Sequence, residues 1–294
     1  MGSPVAPIEL TNSEATQLRN MRALLADFWA DEATPPGKSE ALKHQDDTTL
    51  LRFVQARPSV EEAATMYRGA MAWRESVDVE RLYATREAPL DMLPPAQRLA
   101  ESTFYGLVIG GGAVTHAGGP IMYERLGRVD LAGIAREPGL SKLVEESYIA
   151  YLEKAWRAVR CSKDGRRRAL VVVDLDGLGY AHLRHAALIK GIAAIGPPNY
   201  PEITVSVAIV RAPRIVNALW SIVAPMLPEA TRRKVAFYGA DYLARLGELV
   251  PAEQIPTFLG GSCWVGEDRA HPAALLLQRS CTVEPGLMVK LELQ

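Results

Sequence analysis

Apolar positions along this chain fall into short blocks whose spacing switches between helical and extended. Leu18, Met21, Leu24, Leu25 and Phe28 recur three and four residues apart behind the capping sequence Thr11-Asn12-Ser13-Glu14, and predict a helix through about Trp29. Asp31 to Lys38, with Thr-Pro-Pro-Gly inside, reads as a loop. Asp46-Asp47-Thr48-Thr49 caps a second helix, Leu50 to Arg57. Pro58-Ser59-Val60-Glu61 ends it and starts a third, carrying Ala63, Met66, Tyr67, Ala70, Met71 and Trp73. Asp91 to Glu101 reads as a short helix, and Ser141 to Cys161 as a long one striped by Leu143, Tyr148, Leu152, Trp156 and Val159.

Between these helices lie extended runs. Phe104 to Ile109 predicts a strand and Gly110-Gly111-Gly112 a turn; a second strand block is Ile121 to Gly127. Ala169-Leu170-Val171-Val172-Val173-Asp174 has the unbroken β-branched character of a strand buried on both faces. A helix from about His182 to Ile195 follows, returning through Gly196-Pro197-Pro198 to the strand Ile203 to Val210. Strands alternating with helices predict an α/β fold with a mixed, largely parallel sheet.

Ala212-Pro213 breaks that last strand, and Ile215 to Leu227 reads as a helix of unusual character. Ile215, Leu219, Ile222 and Met226 line one side, and Val216, Trp220, Val223 and Leu227 the next, with only Asn217 and Ser221 diluting them. A helix apolar over most of its circumference needs greasy neighbours on more than one side. It is either a fully buried core helix, or a mobile helix with a lipid-filled cavity beneath it and a bilayer sometimes above it. The next turn carries Thr231, Arg232, Arg233 and Lys234. Thr231 and Lys234 share a helical face, an arrangement that suits a phosphate near a helix N-terminus but equally a solvated basic turn.

The order Tyr200-Pro201-Glu202, strand, Ala212-Pro213, apolar helix, Thr231-x-x-Lys234 and Ile255-Pro256-x-x-x-Gly260-Gly261 resembles the CRAL-TRIO lipid-binding domain, and within it the phosphatidylinositol-transfer proteins. Asp46-Asp47-x-x-Leu50-Leu51-Arg52-Phe53, Trp73-Arg74 and Gly118-x-Pro120 with Asp130 extend the likeness over roughly residues 40 to 263. Where the family prefers Arg-Ala-Arg, this chain has Gln55-Ala56-Arg57. The resemblance implies a helical N-terminal lobe over 1–88, a CRAL-TRIO-like domain enclosing a hydrophobic lipid pocket over 89–265, and a C-terminal extension over 266–294. It implies that Arg57, Glu202, Thr231 and Lys234 bind a phosphoinositol headgroup, with 215–227 as a gate helix. Phosphatidylcholine-exchanging members carry hydroxyl-bearing residues on the central strand and tyrosines near the Gly-x-Pro block. By alignment these positions are Ala169, Val171 and Met122 here, so choline exchange is not expected. The His and Tyr of haem-binding relatives are also missing from that strand region.

Composition narrows the alternatives. A net charge of −1 gives no global basic field for nucleic acid, and 48% hydrophobic residues over 294 positions can build a sizeable core. Cys161, Cys263 and Cys281 are widely spread, which argues against a disulfide framework or zinc site and for a cytoplasmic protein, and since no apolar run approaches the length of a spanning helix any membrane contact is expected to be peripheral. His182 and His185 lack a carboxylate partner for a metal, and no cofactor is expected beyond bound phospholipid. Asp174-Leu175-Asp176-Gly177 resembles the start of a haloacid-dehalogenase-type phosphatase, but Leu178 stands where that family needs Thr, so no enzyme is expected. Lys163 to Arg168 reads as a solvated basic turn or an attractor of anionic lipid. The reading is a transfer protein for one phospholipid, most simply phosphatidylinositol, with a transient membrane surface as partner and room for a lipid kinase downstream. A carrier of a retinoid, tocopherol or sterol is the alternative in the same fold.

Overall fold

The computed structural model describes residues 10–30, 35–87, 92–97, 100, 106–160, 162, 168–227 and 229–263. The expectations for the basic turn up to 167 and for the C-terminal extension over 266–294 lie outside these residues, as do positions 91, 98, 99 and 101 of the expected 91–101 helix.

The N-terminal helices form where their caps are. Helix α1 (Asn12–Ala30) opens on a reciprocal box in which the Thr11 N–H donates to Glu14 Oε2 (2.9 Å) and the Glu14 N–H to Thr11 Oγ1 (3.2 Å). Short α2 (Lys38–Lys43) and α5 (Val79–Glu87), absent from the pattern reading, flank α3 (Asp47–Ala56) and α4 (Val60–Ser76). Asp46 caps α3 through the Thr49 N–H, and Ser59 caps α4 through that of Glu62. After the first sheet hairpin come α6 (Leu131–Arg136), the long α7 (Leu140–Arg160), α8 (Tyr180–Leu183), α9 (Ala186–Asn199), α10 (Val216–Val223), α11 (Glu229–Arg232) and α12 (Tyr242–Gly247).

Among the described residues the sheet has five strands in the order β1-β2-β3-β4-β5: Gly106–Val114, Pro120–Glu124, Ala169–Asp174, Thr204–Val210 and Val235–Phe237. Only β1 runs antiparallel; β2 to β5 are parallel. The triple glycine 110–112 is not the turn expected of it. Its backbone stays inside β1, where the register shifts between Ile109 and Val114 as glycine in a strand allows. The reversal falls at Thr115 to Gly119, where Gly118 has φ 86° and donates to the Thr115 carbonyl (2.8 Å).

Period-two alternation sorts the strand residues onto two faces. Ile121, Tyr123, Leu170, Val172, Ala208 and Val210 pack under Leu246, Val250, Ile255 and Leu259. That segment turns back tightly: a Cβ on Gly261 would stand 2.0 Å from the Ile255 carbonyl oxygen, which is why the closing Gly-Gly tolerates no side chain there. The opposite face shares one continuous core with α1 to α4 and α7, including Phe53, Tyr67, Trp156 and Tyr200.

The seam between the N-terminal helices and α7 is ionic as well as apolar. Glu40 of α2 pairs with Arg74 of α4 (3.2 Å), Arg74 with Glu153 of α7 (2.8 Å), Glu153 with Arg157 (2.8 Å), and Arg157 with Glu80 of α5 (2.7 Å). The hydrogen bond from His44, then Lys43 and Arg74, holds the Glu40 carboxyl well below the usual carboxylate range despite its burial. Below its unfolded value of 4.5 the unfolded chain takes up a proton that folded Glu40 refuses, so the stability this shift confers is present above pH 4.5 and is lost as pH falls. Asp46, lowered by Arg160 and Thr49 against its own burial, acts with the same sign. Urea midpoints should therefore fall between pH 4.5 and 3; a constant midpoint would show that these carboxylates do not couple to folding.

Candidate functional site

Parallel strands all begin at one edge of the sheet, so residues just before β3, β4 and β5 are brought together. At that edge Glu202 is the centre. Its Oε2 accepts from Lys234 Nζ and from the Arg168 guanidinium, each at 2.9 Å. Lys234 precedes β5 and Arg168 precedes β3. Glu202 adopts φ 54°, a left-handed conformation uncommon for a residue with a side chain. Arg52 holds it there, donating to the Glu202 carbonyl (2.5 Å) while its guanidinium lies 5.6 Å from the Trp156 ring.

Arg57 ends α3 at the same mouth and gives one N–H to the Ala56 carbonyl (3.0 Å). Thr231 sits on α11, and its carbonyl accepts from the Lys234 N–H (3.0 Å). Arg57, Glu202, Thr231 and Lys234 thus all line one cavity, of about 400 Å³. With Arg168 the mouth holds three cations against one carboxylate. No ion pair forms between Arg57 and Glu202; the link from α3 to the turn at Glu202 is made by Arg52.

Arg168 was not legible in the sequence, because a basic run reads as solvent-facing. Its guanidinium also donates to Gln55 Oε1 (2.6 Å), the position where arginine is expected from the resemblance. The available signal was its place at the start of a strand neighbouring the one Glu202 precedes.

Behind the mouth the wall is hydrocarbon. Paired registers align Met122, Val171, Val207 and Val235 in one row and Glu124, Val173 and Ile209 in the next, all of them facing the cavity. Val171 and Met122 occupy the wall at two of the positions where hydroxyls and tyrosine would serve a choline headgroup; Ala169 is fully buried outside it. Across from the sheet, α9 contributes Ile189, Ile192 and Gly196, and α10 contributes Val216, Leu219, Trp220 and Val223, followed by Leu227.

The expected continuous helix over 215–227 is a shorter one. Pro225 lacks an N–H and crowds the turn before it, so α10 ends at Val223 and Ala224–Met226 forms a 3₁₀ turn. Nor is α10 greasy all round: Asn217, Ala218 and Ser221 face solvent, Ile215 is buried just before the helix, and Ile222 is half-buried without touching the cavity. Trp220 packs edge-on against Phe237 of β5 (5.7 Å, 87°), a ring that is 42% exposed. In α9, Pro197 and Pro198, read as the exit from the helix, lie inside its last turn, and the Tyr200 N–H still reaches the Gly196 carbonyl (2.9 Å).

Glu124 is a second feature that sequence reasoning missed. Two residues after Met122 on the same strand, it faces the cavity by simple alternation. Burial pushes its carboxyl up to about 7, against the opposing interaction with Tyr151. At the far edge of the sheet, Asp174 and Asp176 are engaged. Asp174 receives both Arg211 nitrogens, with Oδ1 at 2.9 Å from Nε, and the Asp176 N–H (3.0 Å); Asp176 pairs with Arg128 (2.7 Å). Both carboxylates serve as structural ion-pair partners there. His182 Nδ1 closes its own helix start on Gly179.

The profile of the CRAL/TRIO domain matches residues 107–261, more than half of the chain. The chain belongs to the CRAL/TRIO family. Relatives of this CRAL/TRIO protein include Protein real-time of Aedes aegypti, 31% identical over 77% of this chain and 35% of that one. The Phosphatidylinositol/phosphatidylcholine transfer protein SFH9 of Arabidopsis thaliana is 25% identical over 75% of this chain and 38% of that one. Sec14 cytosolic factor of Schizosaccharomyces pombe is 25% identical over 87% of this chain and 90% of that one. The chain thus spans about a third of the length of the first relatives and nearly all of the last. The crystal structure of Sfh5 superposes with a TM-score of 0.53 at 14% identity, covering 78% of this chain and 82% of that one, which shows the common fold. The family is one of lipid-binding and lipid-transfer proteins. No helix among the described residues is long and apolar enough to cross a membrane.

Proposed function

We propose that this CRAL/TRIO protein carries one phospholipid, phosphatidylinositol, and exchanges it at membrane surfaces. The carrying observation is the pairing of chemistries in one cavity: a largely apolar wall behind, and Arg57 and Lys234 with Glu202 in front, where Arg168 also pairs with Glu202. Three cations and the Thr231 hydroxyl suit a phosphodiester, and Glu202 suits hydroxyl donors of an inositol ring. Acyl chains along the wall are stabilised by about 0.8 kcal/mol per methylene removed from water, so spontaneous release is slow.

Release therefore needs a gate, and we assign it to α10 with its 3₁₀ turn, whose half-buried Leu219, Trp220 and Val223 line one side of the cavity. At a bilayer its cavity-facing Leu219, Trp220 and Val223 exchange protein contacts for lipid ones, and Phe237 offers an apolar patch beside it. Trp220→Asp should reduce membrane-stimulated phosphatidylinositol exchange by tenfold or more, because an aspartate in the hydrocarbon costs about 2.5–3.5 kcal/mol. The variant should still unfold cooperatively. Unchanged exchange would remove α10 as the gate. Native mass spectrometry of the purified protein tests the ligand itself: phosphatidylinositol should be among the lipids carried, and its absence after exposure to phosphatidylinositol vesicles would overturn the reading.

A further inference from the structure

A carboxylate beside a phosphate site works against it, because two anions repel unless the carboxylate is already neutralised. Glu202 and Lys234 line the cavity mouth together, and as a pair their charges cancel. A phosphodiester that meets only this pair must win the ammonium away from Glu202. The Glu202 side chain is 12% exposed, so water screens that competition poorly.

Arg168 changes the count. Its guanidinium pairs with the same Glu202 oxygen, Oε2, that Lys234 Nζ touches, each at 2.9 Å, and the three residues together carry one net positive charge. Arg168 is not among the residues lining the cavity, so it meets the carboxylate from behind. Strand order explains how both cations converge there: β3 and β5 flank β4, and Arg168, Glu202 and Lys234 stand just before β3, β4 and β5. A second contact presets the guanidinium, which donates to Gln55 Oε1 (2.6 Å). Gln55 Nε2 in turn donates to Glu14 Oε1 (2.9 Å), which fixes the way the amide points and turns its oxygen toward Arg168. Glu14 is itself anchored through Oε2 to Thr11 at the start of α1. The cation is therefore in place before a ligand arrives.

We propose that Arg168 is a positioning residue for the phospholipid headgroup: it neutralises Glu202 from behind the cavity and so leaves the charge of Lys234 free for the lipid phosphate. The inference rests on the reading that this mouth takes phosphatidylinositol, and adds to it the residue that lets a carboxylate and a phosphate share one site.

The test measures transfer of radiolabelled phosphatidylinositol between vesicles by the full chain at low salt. In Arg168→Gln the rate should fall by about tenfold, the weight of one unit charge in a partly screened site. Arg168→Lys keeps the charge and should keep most of the rate. The deciding variant is Arg168→Gln with Glu202→Gln. Removing the carboxylate charge along with that of Arg168 restores the single positive charge, and an amide still accepts from a hydroxyl, so transfer should recover several-fold over Arg168→Gln alone. A residue that merely tied α3 to the sheet would give no recovery, because the tie is equally absent from both variants. Thermal unfolding confirms that each variant is folded. A wild-type rate in Arg168→Gln, an Arg168→Lys as slow as Arg168→Gln, or a double variant no faster than the single one overturns the assignment. Any of these in a protein whose wild type transfers phosphatidylinositol refutes this inference alone; a wild type that transfers none refutes the headgroup reading with it.

Discussion

Replacing Arg74 by methionine should lower the free energy of unfolding by about 3–5 kcal/mol, the usual penalty for breaking a buried ion pair from one side. Arg74 is 1% exposed and bridges Glu40 to Glu153, with its guanidinium 5.6 Å from the Tyr200 ring. Methionine fills the volume but leaves two carboxylates, on α2 and α7, facing one another across hydrocarbon. Arg157 keeps a hold on Glu153, and Lys43 on Glu40, yet both of those cations reach solvent and cannot enter the gap. For a domain of this size the loss corresponds to roughly 6–20 °C in melting temperature. The companion measurement is Arg74→Met with Glu40→Gln and Glu153→Gln. If the cost comes from uncompensated charge, neutralising both acids recovers most of it; if the triple variant is no more stable than the single one, lost packing of the arginine stem is the cause. The consequence reaches beyond stability, because this seam fixes α3 and α4, and thereby Arg52 and Arg57, against the sheet edge where Glu202 stands.

The seam also shows where reading the chain stops. Val171 to Val173 or Ile203 to Val210 announce strands because β-branched runs suit one conformation, and the Thr11, Asp46 and Ser59 caps announce helix starts because the signal and the structure are a few residues apart. Glu40, Arg74 and Glu153 lie on three different helices. Each alone looks like a charge on a solvated face, and only the packing that buries α7 on both sides makes them partners. The same limit hid Arg168 and Glu124. A basic run has no preferred direction until the parallel strands order their starting residues along one edge, and one acid in Ile121-Met122-Tyr123-Glu124 is read as a strand end until its neighbours prove to be cavity wall. Where expectations misfired, local chemistry decided: Pro225 shortens α10, and glycine at 110–112 accepts an extended backbone as readily as a turn.

Lys234→Ala should slow phosphatidylinositol transfer by roughly 10–150-fold, the equivalent of one charge-assisted hydrogen bond of about 1.5–3 kcal/mol. Lys234 carries this prediction better than Arg57, because its ammonium is placed by two independent constraints. Its backbone is tied into the sheet through the Val207 N–H (2.9 Å) and to Thr231 (3.0 Å), and its Nζ rests on Glu202 Oε2. An alanine there leaves Glu202 with Arg168 as its counter-ion, so the turn at 200–203, already held by Arg52, keeps its shape. The expected loss is then one of headgroup recognition and not of fold, and unfolding of the variant should match wild type within about 1 kcal/mol, the scale of a partly exposed ion pair. Salt supplies the discriminating control. A charge contact with a lipid phosphate weakens as ionic strength rises, whereas acyl burial does not, so wild-type transfer should converge toward that of the variant in high salt. Equal transfer by Lys234→Ala and wild type at low salt would place the phosphate somewhere other than this strand edge.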